Sequence, residues 1–278
     1  MAVIEIDPKL STKSKAVFVG RSGDIPLSWS ITFFILAGLF ILLFIYHKFI
    51  LPYPLNDKST LKEGSKNIFR EFVHTFVLFF KRKNIGVILA FLLLFRFAEA
   101  QLVKLVSPFL LDFREIGGLG LSTSEVGIVY GTIGIISLTI GGLLGGYAIS
   151  KKGLKWWLWP MVIIMHTPDL AFVYLSHFQP TNFVLINAAV AFEQFGYGFG
   201  FTAYMMFMIM ISQGEHKTAH YAICTGIMAL GMMLPGMFSG WLQDHIGYNN
   251  FFIWVVISTI PGFIVAGLVK IDPEFGKK

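Results

Sequence analysis

Arg96, Glu99 and Lys104 lie in a stretch that is otherwise apolar from Gly86 to Leu111. At about 100° per residue on one continuous helix, Arg96 and Glu99 fall about 60° apart, with Lys104 about 80° to the other side of Arg96. One face can present all three. Arg96 or Lys104 then meets an anionic solute, and Glu99 balances the charge when no solute is bound. The same residues also fit a static network that only fixes helix packing, since Arg96 and Glu99 can pair along one helix. A second set, Glu193, Tyr197, Gly200 and Tyr204, recurs at i, i+4, i+7 and i+11 and stays within about 60°. A carboxyl group held beside phenols can exchange a proton, and Gln194 next to it can hydrogen-bond sugar or peptide. The alternative is a carboxylate at the membrane surface that meets water, with Gly196, Gly198 and Gly200 serving helix contact. His166 and Asp169 flank Pro168, where proline frees a carbonyl that a cavity or neighbouring groups must satisfy. His216 and His220 have the spacing of metal ligands but lack a third. With no HExxH, GxSxG or P-loop pattern, neither an enzyme nor a cofactor or metal site is expected.

These residues need elements that hold them away from water. Of 278 residues, 55% are hydrophobic and only 14% charged, where a soluble domain carries about a quarter. The class is an all-α membrane protein. Spans are expected at 29–46, 86–111, 125–150, 156–176, 183–211, 219–242 and 251–269, since about 20 apolar residues cross a hydrocarbon core of roughly 30 Å. In the second span, sixteen Leu, Ile, Val and Phe residues favour insertion by about 7 kcal/mol, against about 9 for its three charges. Alone it is marginal, so it belongs against other helices. Ser122 and Glu125 have capping-box spacing before the third span. The single cysteine, Cys224, excludes an intrachain disulfide and lies in an apolar run, which suits packing. Residues 1–28 lack the apolar core of a signal peptide.

Basic residues set the expected sidedness. Lys48, Lys58, Lys62, Lys66, Arg70, Lys81, Arg82 and Lys83 fill the segment before the second span. Lys151, Lys152 and Lys155 follow the third span, Lys217 the fifth, and Lys270, Lys277 and Lys278 the seventh. The opposite short connections hold only Arg114. The positive-inside rule therefore makes a 49–85 linker and the 272–278 tail cytoplasmic, with 1–28 outside despite its own four basic residues. The net charge of +6 follows topology, so the lipid bilayer is the expected partner and nucleic acid is not. Within the linker, apolar residues at helical spacing from Lys66 to Lys83 predict an amphipathic helix at the membrane surface.

Two stretches align at an offset of 94 residues: Gly142-x-x-Gly145-Gly146-Tyr147 with Gly153, and Gly236-x-x-Ser239-Gly240-Trp241 with Gly247. Each closes one helix and opens the next, and the charge pattern places the two turns on opposite sides. The expected plan is a six-helix bundle over 86–271 as an inverted 3+3 repeat, with one extra span at 29–48. GxxxG pairs at Gly127/Gly131, Gly141/Gly145, Gly196/Gly200 and Gly236/Gly240 suit close helix approach.

The run from Gly142 to Lys155, with Lys151 and Gly153 inside it, resembles the loop signature of the major facilitator superfamily. Gly240, Asp244 and Gly247 hold the corresponding places in the second copy. The segments Glu193–Tyr204 and His216–Ala222 resemble the branch of AmpG-type muropeptide permeases and acetyl-coenzyme A transporters. That resemblance covers about residues 25–271. It implies a proton-coupled importer of muropeptide-like amphipathic anions in a bacterial inner membrane, with small solute and protons as its other partners. The family has twelve or more helices, of which this chain resembles the sixth onward. A missing N-terminal half or a second copy is therefore an expected partner. The alternative is a non-transporting membrane subunit or a truncated half-permease that acts only with a partner.

Overall fold

The apolar runs fold as helices, several of them broken partway. The computed structural model describes residues 3–5, 17–19, 25–51 and 68–278. Lys9, Lys13, Lys15, Arg21, Lys58, Lys62 and Lys66, used above for sidedness, lie outside the described residues. The chain divides into two units, Met1–Lys66 and Asn67–Lys278. In the first, β1 (Val3–Glu5) pairs antiparallel with β2 (Val17–Val19), Val3 opposite Val19. Runs this short carry no clear alternation, and the sequence pattern does not signal them. The helix α1 (Ile25–Ile50) follows, with exposed apolar side chains such as Phe34 and Phe49 along its length.

The second unit is all helical. It contains α2 (Ile68–Phe80), α3 (Ile85–Leu94), α4 (Phe97–Leu111), α5 (Thr123–Val126), a π-helical segment (Gly127–Gly134), α6 (Ile135–Lys152), α7 (Leu154–His166), α8 (Asp169–Phe178), α9 (Phe183–Ser212), α10 (Lys217–Ile257) and α11 (Ile260–Leu268). A single turn of 3₁₀ helix covers Arg114–Ile116.

Among the described residues, six helical segments are long and apolar enough to cross a membrane. The last, Lys217–Leu268, holds 52 residues and leaves helical geometry at Gly247 (φ 75°, ψ 166°). At 1.5 Å per residue it is more than twice the length that a core of roughly 30 Å requires, so it supplies two of the seven expected crossings. Gly153, 94 residues earlier, has nearly the same backbone (φ 81°, ψ 161°), a conformation essentially confined to glycine. The capping box forms as its spacing predicts. Ser122 Oγ accepts from the Glu125 amide at 3.3 Å, and Glu125 Oε2 accepts from the Ser122 amide at 2.8 Å.

The helix α9 lies between α6 and α7, and small residues on two of its faces let the backbones touch. A Cβ on Gly198 would collide with the Leu138 carbonyl of α6, and one on Gly196 with the Ile164 carbonyl of α7. On α6 the close approach is made by Gly141 and Gly145, not by Gly142 and Gly146. A Cβ on Gly145 would lie 2.8 Å from Thr202 Oγ1, whereas one on Gly146 meets nothing within 4 Å. Gly127, Gly131 and Gly240 are likewise open, so of the four GxxxG pairs only Gly141/Gly145 and Gly196/Gly200 mark a close approach at both glycines.

The amphipathic helix at α2 is part of this unit. Phe79 is fully buried, its ring 5.7 Å from that of His220. Arg82 then donates to the carbonyl of Ile211 at the end of α9 and lies 2.7 Å from His220 Nδ1. A guanidinium thus covers the Nδ1 edge of His220.

Candidate functional site

The buried apolar side chains form two clusters, and five spans pass from one to the other, the third between Val129 and Ile149. In the other four, polar residues sit at the crossing point. Span two leaves the first cluster at Phe95 and enters the second at Ala98, with Arg96 and Glu99 at the junction. Span four changes between Met165 and Phe172, with His166 and Asp169 there. Span five changes between Val190 and Phe199, around Glu193 and Gln194. Span seven changes between Val255 and Val265, around Ser258 and Thr259. A polar layer therefore cuts across the middle of the bundle.

Three of these spans are broken at that layer. Arg96 has φ −104° and ψ 18°, which separates α3 from α4. Thr167 and Pro168 separate α7 from α8, and Ser258 and Thr259 separate α10 from α11. The breaks meet. A Cβ on Gly262, at the start of α11, would lie 3.1 Å from the Phe95 carbonyl and 3.6 Å from His166 Nε2. Broken backbone at membrane depth must find partners inside the protein. Tyr204 provides one, donating at 2.6 Å to the Leu92 carbonyl, the acceptor that the Arg96 amide would reach in an unbroken helix. Its ring stacks on Phe91, Phe95 and Phe201. Tyr204 thus holds the break.

Within the layer, Arg96 donates to the Tyr197 hydroxyl and lies over the rings of Tyr197 and Phe201, at 5.1 and 4.5 Å. Glu193 Oε2 accepts from Gln194 Nε2 at 2.9 Å, and the Tyr130 phenol lies near Gln194. His166 Nδ1 lies 3.3 Å from Asp169 Oδ2. Glu99 is near enough to Arg96, Asp169 and Glu193 to feel the charge of each. Arg96 is 6% exposed, Glu99 1%, Asp169 1% and Glu193 2%, so the layer is closed to solvent. Arg96 Nε, Glu99 Oε1, His166 Nε2 and Asp169 Oδ1 are buried with no protein partner. Buried polar atoms of this kind are rare in folded proteins, and four in one cluster mark a place suited to water or a polar solute.

Lys104 departs from the expectation. It is exposed, and its stem lies against α10, where a Cβ on Gly236 would be 3.3 Å from Lys104 Cγ and Cε. Tyr130 and Phe201 join the layer with no charge or spacing to announce them; Tyr130 lies in the π segment, where the helical wheel is offset. Of the loop-signature residues, Gly153 and Gly247 make the two turns, and Lys151, Lys155, Gly240 and Asp244 are exposed. Lys152 Nζ sits 4.0 Å over the Trp156 ring.

No protein-family model matches the chain. It is 27% identical over 218 residues to the Putative transporter AmpG 1 of Rickettsia prowazekii (strain Madrid E), covering 73% of this chain and 47% of that protein. Against the Putative transporter AmpG 4 of Rickettsia felis (strain ATCC VR-1525 / URRWXCal2) it is 27% identical over 244 residues, 86% of this chain and 56% of that one. The Anhydromuropeptide permease of Escherichia coli (strain K12) is 26% identical over 187 residues, 67% of this chain and 37% of the permease. This chain is similar to AmpG-type transporters and permeases. It spans about half the length of the curated relatives it matches, or less. The long apolar helices are those of a multi-pass membrane protein, and the proteins it resembles are named transporters and permeases.

Proposed function

We propose that the Asn67–Lys278 unit is a six-helix half of a secondary permease, arranged as an inverted 3+3 repeat, that moves amphipathic anions of the muropeptide class inward with protons. The observation that carries this reading is the mid-membrane layer in which three helix breaks meet around Arg96, Glu99, Asp169 and Glu193. Arg96 is the one buried Lys or Arg among the described residues. One guanidinium can balance only one carboxylate. With Glu99 beside it and Asp169 and Glu193 close to Glu99, neutrality is reached by protons, and an arriving anion competes with Glu99 for Arg96. Solute entry and proton exchange are thereby linked through charge balance. The breaks at Arg96, Pro168 and Ser258 are the hinges at which the closed layer opens to either side. The bilayer is a bacterial inner membrane, and a second half, on another segment or another copy, completes the pathway.

Membrane vesicles containing the protein should accumulate labelled anhydro-muropeptide under an inward proton gradient, and a protonophore should abolish the accumulation. Uptake that survives the protonophore would rule out proton coupling. Failure of both uptake and binding of the solute by purified protein would favour a non-transporting membrane subunit.

We also assign the 49–85 linker and the 272–278 tail to the cytoplasm, with 1–28 on the other side. Cys224 is the only cysteine and is buried. In a Cys224→Ser background, Ser124→Cys should react with an impermeant maleimide in intact cells and Lys152→Cys only after permeabilisation. The reverse pattern would invert the topology.

A further inference from the structure

At the end of the bundle where span two begins and span seven ends, a crevice of about 100 Å³ opens between α3, α9 and the residues after α11. Its rim carries Lys83, Asn84 and Lys270, and no acidic residue lines it. Phe207 and Ile211 form its buried wall, and exposed Leu268 forms a lip. Asn84 has φ 61° and its side chain makes no capping bond to α3, so the positive end of that helix adds to the field of the two lysines.

We propose that this crevice binds an anionic phospholipid of the adjoining leaflet. Its phosphate would lie between Lys83 and Lys270, with an acyl chain along Phe207, Ile211 and Leu268. The argument is charge complementarity combined with depth. The cations precede the first residue of α3 and follow the last residue of α11, at headgroup level, while the apolar wall starts within the helices. That order, cationic outside and apolar inside, is the order of an anionic lipid. A soluble anion would satisfy the rim and leave the wall uncovered. A zwitterionic lipid would bring a cation of its own towards two lysines.

The purified full chain is titrated with phosphatidylglycerol, phosphatidylcholine and glycerol phosphate, and bound ligand is read by native mass spectrometry. Phosphatidylglycerol should be retained preferentially, and Lys83→Gln/Lys270→Gln should weaken its binding by about tenfold or more. Lys151→Gln/Lys155→Gln, at a different turn, should leave binding unchanged. Both lysine pairs are exposed, and a thermal melt confirms that each variant is folded. If the first double variant unfolds, Lys270→Glu alone serves and should show the same loss. Equal retention of phosphatidylcholine, equal affinity for glycerol phosphate, or undiminished binding in the rim variants would each overturn the proposal.

Discussion

Arg96→Gln should lower uptake of an anionic solute by about 100-fold, while membrane insertion and melting temperature stay close to those of the parent. Hydrogen bonds to charged groups contribute about 1.5–3 kcal/mol each, and every 1.4 kcal/mol is tenfold, so losing a paired contact to the solute reaches that size. Glutamine keeps the apolar stem and a polar amide at this position, and α4 stays packed on α10. The three nearby carboxyl groups lose their cation but can hold protons in its place. Arg96→Lys should recover part of the uptake, since it restores the charge without the planar fork that suits carboxylates. Proteoliposome uptake together with a detergent melt provides both readouts. Uptake within about threefold of the parent in Arg96→Gln would reduce the layer to a packing network, the role that its near-complete burial suits equally.

Gly198→Leu should abolish folded protein altogether. The α6 backbone passes so close that even a Cβ at position 198 would collide with the Leu138 carbonyl and lie 3.1 Å from the Gly142 amide nitrogen. Backbone atoms cannot step aside as a side-chain end does, so α6 and α9 must separate. Overpacking of a core costs about 1–3 kcal/mol for an added methylene or two, and a branched side chain forced between two helix backbones exceeds that. Gly146→Leu should leave yield and melting temperature within error, because nothing lies within 4 Å of its Cβ position. Size-exclusion profiles and thermal melts of the two variants side by side provide the check. Equal behaviour would mean that the α6–α9 contact does not hold the bundle together.

The amino-acid string reveals these two kinds of position unequally. Charges inside apolar runs stand out because lipid tolerates few of them, so residue type and spacing alone pick out Arg96, Glu99, His166, Asp169, Glu193 and Gln194, and all six lie in one layer. Lys104 lies on α4 with Glu99, about 140° around the helix from it, so burying the first exposes the second; the arc that spans all three residues is too wide for one buried face. Arg96 itself is not helical. Nothing local marks that break, since neither proline nor glycine lies at it; it is held by Tyr204, 112 residues beyond the Leu92 carbonyl to which it donates. The break at Pro168 is legible because proline itself causes it. The glycine pattern indicates which helices approach closely but not which face, since Gly141 and Gly142 differ by one position and only the packing of α9 selects between them.

The π-helical segment Gly127–Gly134 has a mechanical consequence of its own. A π turn accommodates one more residue than an α turn, so, with α6 held against α9, converting this stretch to the tighter form would shift the residues before it by one position and screw them through about 100°. Tyr130 lies within the stretch, and that rotation would carry its phenol away from Gln194 without any displacement of α9. The third span therefore contains a thread with two pitches, and changing the pitch is a local act that leaves the glycine-packed α6–α9 pair undisturbed.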